Sequence, residues 1–149
     1  MRAIVQRVKY VNMNIENKLY SSIDKGLLVY LGVHKNDTMA DLDYLAKKIV
    51  NMRIFEDENQ KMNLSIKDIN GEIMIVSQFT LYGDMRKGNR PGFTESAKGD
   101  FAEHYYNEFV KKLKSEINIV ETGIFGADMQ VEYINDGPVT IQLDSSKMY

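Results

Sequence analysis

The sequence predicts an α+β fold in which curved β-sheets carry two helices on their outside. Several short segments alternate apolar and polar residues, which is typical of β-strands. Only two segments, around residues 42–49 and 101–117, repeat apolar residues at the helical period. Strands and helices do not follow one another in strict βαβ order, and this arrangement favours the α+β class.

Size and composition limit the classes of protein to consider. At 149 residues the chain is expected to form one domain, residues 1–149, which buries roughly 68–70% of its unfolded surface. Its 44% hydrophobic and 27% charged residues are ordinary for a globular protein. The net charge of −2 argues against an extended nucleic-acid footprint, so no DNA partner is expected, but it permits a local basic patch.

The sequence carries no sign of secretion or of a membrane span. Residues 1–7 lack the charged-then-apolar layout of a signal peptide, and the longest apolar runs are far shorter than the ~20 residues that cross a bilayer. We therefore expect a cytoplasmic protein without a membrane partner. The absence of cysteine excludes disulfides, thiolate nucleophiles and Cys-based zinc sites.

The first quarter of the chain is predicted to consist of strands. Residues 2–8 and 11–15 alternate, residues 16–18 resemble a hairpin turn, and residues 19–23 form the returning strand. Residues 26–33 are apolar on both faces, as in a strand that is buried on both sides.

Both helices show further helix signals. Thr38, followed three residues later by Asp41, resembles a capping pair at the start of the first helix. The second helix, residues 101–117, has three lysines near its end, where cations stabilise the helix dipole. A short strand is predicted near residues 62–66, and two further strands at residues 129–133 and 139–143.

The most informative stretch is residues 73–81. Its first half is apolar on both faces, whereas Ser77, Phe79 and Leu81 then alternate with polar residues, as if the strand left the core for a cleft. Backbone N–H groups freed there could stabilise an oxyanion. The alternative is an ordinary sheet strand. The interpretation of Thr80 as a nucleophile has less support, since no base lies near Thr80 in the sequence.

Two other segments allow a structural and a functional interpretation. Gly137-Pro138 is either a turn into the last strand or a cis peptide whose carbonyls form a rigid pair of acceptors for an amino group. The basic run at residues 86–90, within a long Gly-rich loop over residues 83–99, is either solvated or a phosphate contact.

Several common catalytic signatures are missing. The sequence has no GxSxG, HExxH or GxGxxG motif, and its two histidines, His34 and His104, have no metal-ligand spacing. We therefore expect no metal and no cofactor. An enzyme with this sequence would act mainly by positioning its substrate and by backbone dipoles.

Two motifs resemble a known family. Ser77-Gln78-Phe79-Thr80-Leu81 and Asn135-Asp136-Gly137-Pro138-Val139-Thr140 match the signature motifs of D-aminoacyl-tRNA deacylases, also called D-tyrosyl-tRNA deacylases. The resemblance covers essentially the whole chain. It implies a layered β-β-α sandwich of curved, mainly antiparallel sheets with two main helices packed outside. It also implies a homodimer that hydrolyses the ester of a D-amino acid, or of glycine mischarged on tRNA(Ala), at the tRNA acceptor end.

The resemblance also implies roles for individual residues. Gly137 and Pro138 would form a cis dipeptide that enters the partner's pocket and excludes L side chains, with Arg7 fixing its orientation. The catalytic strand would contribute Ser77, Gln78, Phe79 and Thr80, with the backbone N–H groups of Gln78 and Phe79 polarising the ester carbonyl. Three further residues match pocket and adenosine-contact positions: Ala102, Phe125 and Met129.

The role of Thr80 stays open between two mechanisms. Thr80 is the nucleophile in one, and in the other the terminal 2′-hydroxyl of the tRNA assists attack by water; the missing base favours the second. Two alternatives to the editing hydrolase are a non-catalytic tRNA-end-binding module and a Thr80-dependent esterase.

Overall fold

One long strand, β1 (Arg2–Ile15), organises the sheet in the computed structural model, which describes residues 1–149. Its first half pairs antiparallel with β3 (Gly26–Gly32), and its second half pairs antiparallel with β2 (Lys18–Ile23). The opposite edge of β1 pairs with β8 (Gln130–Asp144). The segments 2–8 and 11–15, predicted separately, are therefore one continuous strand.

The sheet continues beyond β3 with two parallel strands. β6 (Glu72–Ser77) pairs with β3, and β7 (Val120–Thr122) pairs with β6. The sheet curves until β2 approaches β7, where the Ser21 hydroxyl donates a hydrogen bond to the Thr122 carbonyl at 2.7 Å. The predicted class, α+β with mainly antiparallel strands, is confirmed, although two of the pairings are parallel.

Two helices cover one face of this sheet. Helix α1 (Met39–Asn51) begins with the predicted capping pair, since the Thr38 N–H and hydroxyl both donate to Asp41 Oδ2, at 2.8 and 2.7 Å. Helix α2 (Gly99–Lys114) is shifted from the predicted range of 101–117: it begins two residues before that range begins and ends three residues before that range ends. Neither helix is long and apolar enough to cross a membrane.

The apolar residues form two cores on opposite faces of the sheet. The larger core packs the sheet against both helices, and the smaller one lies on the other face. Strand β3 contributes to both, with Leu27, Val29 and Leu31 in the larger core and Leu28 in the smaller. The prediction that this strand is buried on both faces is thus correct.

Three further differences separate the predicted elements from the structure. The segments 129–133 and 139–143 are parts of the single strand β8. The short strand near residue 62 is β5 (Met62–Leu64), which pairs with an unpredicted two-residue strand, β4 (Phe55–Glu56). Strands this short bury too few residues to show a period in the sequence.

The third difference lies in the stretch predicted as a strand up to Leu81. Strand β6 ends at Ser77, and a short 3₁₀ helix (Phe79–Tyr82) follows. The Gln78 N–H makes a last bond to the neighbouring strand, to the Leu31 carbonyl at 2.8 Å, before the chain turns. A few alternating residues fit a strand and a 3₁₀ turn equally, so the sequence pattern could not distinguish them.

Candidate active site

A cavity of about 420 Å³ opens where β6 ends. Its lining is mainly apolar and draws on β3, the end of β6, the start of α2 and the segment before β8. Five of the residues predicted for the site line this cavity: Ser77, Gln78, Phe79, Ala102 and Phe125.

A second cavity, of about 450 Å³, adjoins the first and contains Met129. The two cavities share Ser77, Gln78, Phe79 and Gly126. The Ser77–Phe79 segment therefore forms a wall between two neighbouring binding spaces. The arrangement fits a ligand with two parts joined at a bond beside this wall.

The backbone donors beside this wall differ from those expected. The Gln78 N–H is bonded to the Leu31 carbonyl, so it does not point to a ligand, and the expected role of this donor is wrong. Phe79 and Thr80 begin the 3₁₀ helix, and the first N–H groups of a helix have no acceptor within it. The next donor, the Leu81 N–H, is already bonded to the Gln78 carbonyl at 3.3 Å. This leaves Phe79 and Thr80 as the candidate donor pair.

The Thr80 side chain lies at the edge of the site. Thr80 is exposed and lines neither cavity. Its hydroxyl accepts a hydrogen bond from the Gln78 side-chain amide at 2.5 Å, and an amide is not a base. Both histidines, His34 and His104, also lie outside the two cavities. The geometry thus provides no general base for a Thr80 nucleophile.

Aromatic side chains shape the rim and the floor of the first cavity. Phe79 is 56% exposed and packs edge-on against Phe93, with the ring centres 5.0 Å apart. Tyr106 is buried at the floor of the cavity, and its hydroxyl donates a hydrogen bond to the Ile75 carbonyl at 2.8 Å. Burial raises the pKa of this hydroxyl above its usual range. Tyr106 therefore contributes its ring to the cavity, while its hydroxyl is engaged by the sheet.

Sequence reasoning missed several lining residues. Phe93, Ser96 and Lys98 belong to the long loop before α2, where no periodic pattern marks a position as buried. Tyr106 belongs to the predicted second helix, but only the packing of this helix on the sheet directs its ring to the cavity. A loop of this length next to a predicted site was the available signal.

Gly137 and Pro138 lie within β8, away from both cavities of their own chain. The peptide bond between them is cis, and both residues are exposed. The pairing of β1 with β8 shifts here from Gln6 opposite Thr140 to Val8 opposite Asn135. The strand thus contains a bulge, residues 136–139, opposite the single residue between Gln6 and Val8.

That single residue is Arg7, whose side chain is 7% exposed. Its Nη1 donates to the Ile54 carbonyl at 2.7 Å, and its Nε donates to the Asp136 carbonyl at 3.2 Å. A β-carbon added to Gly137 would lie 3.0 Å from Arg7 Nη2 and 2.9 Å from a Val139 methyl group. The φ of Gly137, +123°, also disfavours any other residue. Arg7 and glycine together define the conformation of the bulge.

Comparisons with known proteins agree with the two motifs. The family model D-Tyr-tRNA(Tyr) deacylase matches residues 4–144. Proteins named D-aminoacyl-tRNA deacylase from Thermosipho africanus and Clostridium novyi are 58% and 54% identical over 149 residues, with 100% of each chain covered.

Two solved structures share the fold. One, c-Myc DNA Unwinding Element Binding Protein, has a TM-score of 0.92 at 41% identity, covering 97% of this chain and 98% of its own. The other, a probable eukaryotic D-amino acid tRNA deacylase, has a TM-score of 0.83 at 17% identity, covering 95% and 97%, and supports the fold alone. Through its full-length relatives and the family model, the chain belongs to the D-aminoacyl-tRNA deacylases, a family of ester hydrolases.

Proposed function

We propose that the protein hydrolyses the ester between a D-amino acid and the terminal adenosine of tRNA, and that it leaves L-aminoacyl-tRNA intact. The observation that carries this proposal is the pair of cavities on either side of Ser77–Phe79. An aminoacyl group in one cavity and an adenosine against Met129 in the other would bring the ester bond to the wall between them. Ala102 and Phe125 would contact the bound end of the substrate.

The chemical step requires little from side chains. The oxygen of a water molecule adds to the ester carbonyl carbon, the bond to the ribose oxygen breaks, and a proton from the water passes to that ribose oxygen. A free amino acid and deacylated tRNA then leave. The Phe79 and Thr80 N–H groups would stabilise the oxyanion, an effect worth about 3 kcal/mol per donor. The terminal 2′-hydroxyl of the tRNA would assist the water, which accounts for the missing protein base. This scheme involves no cofactor or metal.

Chiral selection would come from a second copy of the chain. Gly137 and Pro138 are exposed and line no cavity of their own chain, which supports a role in a homodimer partner's cavity. Their carbonyls would accept hydrogen bonds from the substrate amino group and occupy the space that an L side chain needs. Discrimination would thus rest on a clash with the wrong substrate. Glycine has no side chain, so glycyl-tRNA(Ala) would also be a substrate.

A deacylation assay tests the proposal. Purified protein is incubated separately with D-Tyr-tRNA, L-Tyr-tRNA and Gly-tRNA(Ala). Each assay is run at the near-neutral pH of the cytoplasm, where we expect the protein to act. We expect turnover of the D and glycyl esters and none of the L ester above background. Binding without turnover would identify a tRNA-end-binding module instead. Turnover of both enantiomers and of simple esters would identify a general esterase, and either result would overturn the proposal.

A further inference from the structure

The loop between the 3₁₀ helix and α2 contains a short arm, residues 84–92. Asp84 and Gly92 close its base with two backbone hydrogen bonds, at 2.8 and 2.9 Å. Gly88 lies at the tip with a φ of +102°, a conformation that glycine adopts readily. Residues 85–91 are all exposed. The arm therefore projects from a closed base into solvent.

The base of the arm is attached directly to the candidate active site. The Gly83 N–H donates to the Thr80 carbonyl at 2.9 Å, which connects the arm to the 3₁₀ helix. Phe93 follows the arm and packs against Phe79 at the cavity rim. Further on, the Ala97 N–H donates to the Val33 carbonyl at 2.8 Å. Both ends of the arm are thus held at the mouth of the first cavity.

The arm is basic although the chain has a net charge of −2. It carries Arg86, Lys87 and Arg90 and one carboxylate, Asp84. Arg86 donates to both oxygens of Asp84, at 2.9 and 2.7 Å, yet the Arg86 side chain remains 86% exposed. Lys87 and Arg90 have no carboxylate within 4.0 Å. Two free cations therefore lie on a projecting element beside the cavity.

We propose that this arm binds backbone phosphates of the tRNA acceptor strand next to the terminal adenosine. The inference rests on the proposed function, since a strand whose last nucleoside occupies the cavities must leave past their mouth. Four residues from base to tip reach at most ~13 Å, which matches a contact with neighbouring nucleotides of that strand. Flexible lysine and arginine side chains can bind backbone phosphates whatever the base sequence, because such contacts do not involve the base edges.

The test compares two substrates and two double variants. Lys87→Ala/Arg90→Ala removes the free cations and leaves the Asp84–Arg86 pair intact. Lys47→Ala/Lys111→Ala removes the same charge from exposed, unpaired lysines on the two helices and serves as the control. Each is assayed with D-Tyr-tRNA and with D-tyrosyl-adenosine, which has the ester and the nucleoside but no phosphate.

We expect the arm variant to raise KM for D-Tyr-tRNA at least tenfold with kcat within about twofold. Hydrolysis of D-tyrosyl-adenosine should not change. The slope of log kcat/KM against log salt concentration should become shallower by about 1.4, as for two lost single-strand phosphate contacts. The control variant should leave the slope near the wild-type value.

Four outcomes would overturn the inference. Equal effects of the arm and control variants would mean that only the total charge matters. Equal losses on both substrates would place the effect in the cavity and not on phosphates. A wild-type protein that hydrolyses neither ester would reject the proposed function itself, whereas normal wild-type turnover with an unaffected arm variant would reject the arm alone.

Discussion

Arg7 Nε donates a hydrogen bond to the Asp136 carbonyl at 3.2 Å, so that one residue of β1 holds the bulge of the facing strand. The same guanidinium donates through Nη1 to the Ile54 carbonyl at 2.7 Å. The exposed Gly137-Pro138 dipeptide is thereby tied to the segment that precedes β4. The shape of the bulge depends on a side chain that is buried within its own chain.

Arg7→Lys should lower both stability and chiral selection. An ammonium group cannot reproduce the planar fork that reaches both carbonyls, and an unpaired buried acceptor costs about 1–3 kcal/mol. We expect a lower free energy of unfolding in urea and measurable hydrolysis of L-Tyr-tRNA. Arg53→Lys, at an exposed arginine that bonds the Asn63 carbonyl, is the matched control. Unchanged rejection of the L ester in a folded Arg7→Lys protein would contradict the role of Arg7.

A mixed dimer should show whether the selector acts between subunits. Ala102→Phe should fill the cavity and inactivate its own chain, while Gly137→Ala should displace the dipeptide, because its β-carbon meets Arg7 and Val139. The Ala102→Phe homodimer should be inactive, and the Gly137→Ala homodimer should hydrolyse L-Tyr-tRNA. A purified heterodimer should hydrolyse only D-Tyr-tRNA, because its open cavity receives the intact dipeptide. Retained L hydrolysis by the heterodimer would place the selector within a single chain.

Thr80→Ala should retain kcat on D-Tyr-tRNA within about tenfold of wild type. The Thr80 hydroxyl lies outside both cavities and has an amide as its partner, whereas loss of a true nucleophile costs on the order of 10³-fold or more. Single-turnover kinetics on the purified variant measure this. A drop to the background rate, with an unchanged melting temperature, would restore Thr80 as the nucleophile.

Tyr106→Phe should separate stability from activity. Loss of the hydroxyl leaves the buried Ile75 carbonyl without this donor, which should lower the free energy of unfolding by about 1 kcal/mol. The ring that forms the cavity floor remains, so kcat/KM for D-Tyr-tRNA should stay within about twofold. Tyr105→Phe, on the same helix but outside the cavity, controls for the substitution itself. A large loss of activity would assign the hydroxyl a role in catalysis.

The carboxyl of Asp84 should titrate at an acidic pH. Hydrogen bonds from the Arg86 side chain and its backbone N–H lower the pKa of Asp84 to about 2. The pKa of Asp84 in the folded protein lies below the ordinary ~3.9, so the Asp84–Arg86 pair stabilises the fold above about pH 4. This contribution to stability is lost as the pH falls through about 2. NMR titration of the side-chain carbon measures the pKa. Arg86→Gln should raise it, and an unchanged value would show that the side chain does not set it.

Local sequence patterns were sufficient for most of the fold. The periods of the apolar residues located both helices and most strands, and Thr38 and Asp41 marked the start of α1 correctly. The two signature motifs pointed to the family. These signals act over a few neighbouring residues, through side-chain periodicity and short-range hydrogen bonds, so they can be read without knowledge of the rest of the chain.

The end of β6 and the free donors of the site depended on contacts between distant segments. The Gln78 N–H is unavailable to a ligand because the Leu31 carbonyl of another strand accepts it. Likewise, β8 continues through Gly137 and Pro138 because β1 pairs with it on both sides of Arg7. The sequence by itself determined most of the secondary-structure types and the family of this protein. Only the tertiary structure decided which backbone groups remain free, because a hydrogen bond to a distant strand leaves no pattern in the local sequence.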